Sequence, residues 1–184
     1  MQRGTAKLFR MSFASPQDPA PVSDERELLL RYIEWKREQV VASARGLNEE
    51  QLRWTPAGKL LPIIGIINHL AHMEWRWIEG RCLGSAFPER GEEFVLGPEI
   101  TGAEVIDAYW RQAGRTRAIV LAAPSLEVPC LGDEGGRGPA HVLLGFDRPI
   151  DLRWILLHII EETAHHAGHA DATREMLDGT KAED

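Results

Sequence analysis

From Asp151 to Gly179 the chain contains no proline and repeats its apolar residues three and four apart, a length and period that only a long amphipathic helix satisfies. We place this helix from about Pro149 or Asp151 to Asp178, with Gly179 as its stop. Such a helix has one broad apolar face, and that face needs partner helices to cover it.

Three further segments supply partners. The first begins near Asp24, with Ser23 or Asp24 as N-cap, and runs through "ERELLLRYIEWKREQVVASARG" to Gly46. The second starts at Pro62, a residue tolerated in a first turn, and extends to about Cys82, with Gly84 beyond it. The third opens on Thr101, which forms a capping-box pattern with Glu104, and closes near Ala123 before Pro124. Between them, Asn48 caps a short turn in "LNEEQLRWTPAGKL". Residues 85–98 read as a long aperiodic crossover of the kind that often covers a site. Residues 125–148, with five glycines and two prolines, leave room for a short strand or hairpin. The expected fold class is therefore all-α, a four-helix bundle whose long connections argue against simple up-down-up-down order. Residues 1–23, including "SPQDPAPVSD", read as an extended or disordered arm, and residues 24–184 as a single domain.

Composition narrows the partners. A net charge of −7 without any basic run excludes a nucleic-acid site. Two cysteines, Cys82 and Cys130, cannot make a disulfide framework and fit a reducing compartment, although one bridge between them stays open. No apolar run is long enough to span a bilayer, and no secretion signal is recognisable, so the expectation is a cytoplasmic protein with no membrane partner.

The histidines carry the chemistry. Six of seven fall on the second and fourth helices: His69 and His72, then His158, His165, His166 and His169. With about 100° per residue and His158 as origin, Glu162 falls near 40°, His166 near 80°, His169 near 20° and His165 near −20°, so five metal-competent groups share one stripe. Glu162 and His166 border the apolar face, and on the second helix His69 lies at the edge of the apolar arc while His72 points further out. A solvated helix face would ordinarily be filled by Lys and Glu, which form helix better than His. Glu162 and His166, four apart, with a third ligand from another helix would give three protein ligands and an open position, the layout of a catalytic metal site. Imidazole and carboxylate suit zinc, ahead of nickel, iron or manganese, and the lack of nearby thiolates disfavours a purely structural zinc. Glu161, not His, precedes Glu162, so the zincin signature fails, and the Glu-x-x-His of "ETAH" has no second copy for a di-metal site.

The stretches "LRWTPAGKLLPIIGIINHLAHMEWRW" and "WILLHIIEETAHHAGHADATREMLDG", in this order, resemble the DinB/YfiT-like superfamily of metalloenzymes, in particular its mycothiol-dependent transferase branch, over roughly residues 24–180. The resemblance implies a bundle with rearranged helix order and a divalent metal held by one residue of the second helix and two, four apart, from the fourth. Matching the Gly168 context sets Glu162 and His166 at the paired positions and His69 at the remaining one. His165 stands where relatives commonly carry Arg, so a shift by one, pairing Glu161 with His165, is the competing alignment. The implied activity is divalent-metal-dependent transfer of a low-molecular-weight thiol, mycothiol, to an electrophilic small molecule. His169 is then the candidate proton acceptor or outer partner, Arg174 a candidate contact for the thiol cofactor, and a homodimer is possible. A metal-dependent hydrolase and a non-catalytic stress-response or binding module are the alternatives.

Overall fold

The computed structural model describes residues 18–56, 60–86, 93–94, 96–132 and 139–180; most of the expected N-terminal arm lies outside them. Among the described residues the protein is helical without a strand, with an isolated bridge between Pro129 and Asp151. The long helices are α1 (Glu25–Ala42), α3 (Ile63–Trp75, continued by a π segment, Arg76–Cys82), α4 (Gly102–Ala122) and α6 (Leu152–Asp178). Two single turns, α2 (Glu49–Leu52) and α5 (Ala140–Leu143), lie in the connections. No helix of the described residues is long and apolar enough to cross a membrane.

The caps explain the boundaries. Asp24 accepts from Glu27 N and Asp151 from Trp154 N, each at 2.8 Å, so both helices open on a satisfied donor. Asn48 with Gln51, and Thr101 with Glu104, make reciprocal capping boxes. Gly179, at φ +80°, ends α6 in a left-handed conformation that a side chain would resist. One boundary differs from the expected one. The first helix stops at Ala42, because Ala44 N and Arg45 N bond three residues back and tighten the chain into a turn. The described residues of the stretch 125–148 hold a helical turn, Ala140–Leu143, and an isolated bridge at Pro129, and no strand is among them.

In the bundle α1 lies against α6 and α4, and α3 lies against α4 and α6. The chain's first and second long helices are thus diagonal to each other, and the last one fits between them, which brings His69 of α3 beside Glu162 and His166 of α6. The core is densest along α3, where Ile63, Ile66, Ile67 and Leu70 are essentially inaccessible. Each such side chain contributes about 1.5–3 kcal/mol through burial.

One ion pair crosses the diagonal. Arg37 of α1 donates from Nε to Glu74 Oε1 (2.8 Å) and from Nη2 to Glu74 Oε2 (2.6 Å), and Thr116 Oγ1 of α4 donates to the same carboxylate at 2.9 Å. Arg37 is 1% and Glu74 0% exposed, so neither charge has water to fall back on. Replacing Arg37 by Met should therefore cost roughly 3–5 kcal/mol in urea unfolding, because it strands a buried carboxylate, and adding Glu74→Met should recover much of that loss.

Candidate metal centre

Three side chains meet where α3 faces α6. His69, Glu162 and His166 can each offer one ligand atom, and these atoms lie within 4.8 Å of one another. His166 Nε2 stands 3.7 Å from Glu162 Oε2, and the His69 and His166 rings are 4.7 Å apart at 58°. Ligand bonds of about 2.0–2.2 Å to a tetrahedral ion put neighbouring donors roughly 3.4 Å apart, a spacing that Glu162 and His166 nearly have at 3.7 Å and that His69 would reach by moving inward.

The local chemistry fits a cation. His166 is 7% exposed, and its Nδ1 is buried without a hydrogen-bond partner, while its Nε2 is too far from Glu162 for a hydrogen bond. Burial, with His69, His169 and His165 close by, pushes the His166 imidazole down to about 4, which keeps it neutral and able to donate a lone pair. Burial also lowers His69, against the opposing pull of Glu93.

Glu93, in the connection before α4, is the residue that the sequence did not reveal. Its buried carboxylate faces His69 Nδ1 at 3.1 Å and accepts from Arg76 Nη2 at 2.7 Å. A carboxylate can only accept, so Nδ1 carries the proton and the Nε2 lone pair is left for an ion, the usual outer support of a metal-bound histidine. The connection is fastened inward: Asn68 Nδ2 donates to Glu93 O at 2.7 Å, and Phe94 stacks on His69 with centroids 4.4 Å apart. A Cβ at position 65 would lie 3.0 Å from Phe94 O, so Gly65 lets this strip of chain come close to α3. Arg53 holds its far end by donating to the carbonyls of Leu96, Gly97 and Ile100. The sequence marked this segment only as a long connection of the kind that often covers a site, and nothing in its acidic pair followed by Phe singled out Glu93.

Next to the three side chains is a cavity of about 300 Å³, lined by His69, Met73, Arg76, Trp77, Glu93, Phe94, His158 and Glu162. His158 Nε2 is 3.8 Å from Glu162 Oε1, and its ring stacks on Trp154 and meets Trp77 edge-on. His158, Glu161 and Glu162 form a second, more open group of metal-competent atoms that shares Glu162.

The other expected residues fall elsewhere. His165 is exposed and Glu161 points outward, so the register pairing them puts both at the surface. His169 packs on His165 (4.3 Å) and His166 (5.5 Å) and does not line the cavity. Arg174 lies eight residues past His166, about 12 Å along the helix, and is committed to other partners: it donates to Ser43 O and Arg45 O at the end of α1 and pairs with Asp178.

A family model described as mycothiol-S-transferase matches residues 28–179. No curated protein matches the chain. A crystal structure of a conserved protein from Enterococcus faecalis shares the fold, with TM-score 0.58 and 12% identity, covering 86% of this chain and 100% of that one.

The low His166 value fixes a pH dependence. Between about pH 6.5 and 4 the unfolded chain takes up a proton at this site that the folded protein refuses, so stability falls as pH drops through that window. The urea midpoint of metal-free protein should decline from pH 7 to pH 5, and His166→Gln should flatten the decline.

Proposed function

Since this chain belongs to the mycothiol-S-transferase family, we propose that it is a divalent-metal-dependent S-transferase that activates a low-molecular-weight thiol, mycothiol, for attack on an electrophilic small molecule. The observation that carries the reading is the meeting of His69, Glu162 and His166 beside a cavity that His69 and Glu162 line. Zinc fits the two-nitrogen, one-oxygen donor set, and nickel, iron or manganese are compatible with it. A divalent ion held there supplies Lewis acidity, which brings a thiol's proton loss into the neutral range.

The protein's own groups account for the rest. The donor set carries one negative charge, that of Glu162, because both imidazoles are held neutral and Arg76 is matched by Glu93. A divalent ion in it leaves a net positive charge, which favours an anionic sulfur over a neutral ligand. Trp77, Phe94 and Met73 provide apolar walls that exclude water from a reacting sulfur. His158, in the cavity lining, is the imidazole best situated to receive the thiol proton at Nε2, while His169 braces the outer side of the His166 ring.

The deciding experiment changes His69, Glu162 and His166 singly to Ala and follows bound metal and thiol transfer to an electrophile with and without mycothiol. Each variant should lose metal and at least about 100-fold in transfer, and Glu93→Gln should weaken metal binding about 10–100-fold. Full metal content in all three Ala variants would discard the site, and turnover without any thiol would mean hydrolysis instead.

A further inference from the structure

The two cysteines lie 48 positions apart in sequence and meet in space. Cys82 ends the π segment, Cys130 sits in the extended stretch before the bridge at Asp151, and their sulfurs are 2.7 Å apart. That is inside the roughly 3.5–4 Å of ordinary non-bonded contacts between heavy atoms. Both are free thiols.

The backbone holds them in this position. Gly132 N donates to Arg81 O at 2.8 Å, and a Cβ at Gly132 would collide with the carbonyl oxygens of Gly80 and Arg81, so only glycine lets the two stretches lie this close. On the other side, Cys130 N donates to Ile150 O at 2.8 Å and Leu152 N to Val128 O at 3.1 Å. The sulfurs are unequal: Cys130 is fully buried, while Cys82 is half-buried. A small molecule can therefore reach Cys82 first. The Cys130 thiol donates to Cys82 and lowers it, and Cys130 itself is raised by the same contact and by burial.

We propose that Cys82 and Cys130 are a reversible thiol–disulfide couple, with Cys82 attacking and Cys130 resolving, oxidised by a low-molecular-weight disulfide. Cys82 loses its proton and attacks one sulfur of the disulfide, releasing one thiol and leaving a mixed disulfide on Cys82. Cys130 then loses its proton and attacks Cys82 Sγ, releasing the second thiol. Two protein thiols are oxidised, and one small disulfide is reduced to two thiols. The resulting bond would tie the end of the helix bearing His69 to the chain entering α6, which bears Glu162 and His166. The proposal uses neither the metal nor the transfer reaction, so it stands or falls separately from them.

The test treats the full-length protein with glutathione disulfide and reads intact mass, peptide map and melting temperature. Expected are a loss of 2 Da, a peptide joining Cys82 to Cys130, and a rise in melting temperature of roughly 5–15 °C that dithiothreitol reverses. Cys130→Ser should stop at one glutathione on Cys82, and Cys82→Ser should take up none. Wild-type protein that keeps both thiols, accumulates a stable Cys82 adduct, or joins only between molecules would overturn the proposal, whatever the variants do.

Discussion

A carboxylate buried between a guanidinium and an imidazole governs the centre of this protein. Glu93 balances Arg76, which sits inside the bundle at 2% exposure, and it fixes the proton of His69 on Nδ1. Without Glu93 the cation would be stranded and the imidazole free to choose its tautomer. The same residue draws its connection into the interior, where Phe94 covers the His69 ring. Charge balance, ligand orientation and the cavity wall thus rest on one side chain that belongs to no helix.

The helix order makes this economical. Because α6 lies between α1 and α3, both its stripe of histidines and its apolar stripe have a partner, α3 providing His69 and α1 the larger part of the packing. The diagonal pair α1 and α3 would otherwise meet only through the core, and there Arg37 and Glu74 join them with charge rather than hydrocarbon. A buried pair of this kind adds little net stability, but it penalises any other register of the two helices. Arg174 does related work at the bundle end, where its donors satisfy carbonyls left open as α1 unwinds.

Much of this was legible in the sequence because it is local. Asp24, Asn48, Thr101 with Glu104, and Gly179 mark helix ends by chemistry that acts within four residues. The i, i+4 spacing of Glu162 and His166, and the position of His69 at the edge of an apolar arc, follow from helical period alone. What stayed hidden is non-local. Nothing near Glu93 announces that it will reach Arg76, seventeen residues back. Nor does local sequence announce that Arg174 will find the end of α1, or that α3 will widen at Arg76. His158 lay on the predicted stripe, yet its role as cavity wall depends on Trp77 from another helix.

The widened turn at Arg76–Cys82 acts as a phase shifter in an otherwise regular rod. A π turn takes more residues per revolution than an α turn, so the side chains within it drift progressively away from the directions an uninterrupted α-helix would give them. Upstream of the widened stretch, His69 and Glu74 keep the register of the bundle; within it, Gly80 and Cys82 lie against the stretch that carries Cys130 and Gly132. One helix can thereby serve two unrelated neighbourhoods at angles that a uniform period would not reconcile. A relative lacking a single residue in this stretch would keep its imidazole and carboxylates in place and have its sulfur facing a different direction.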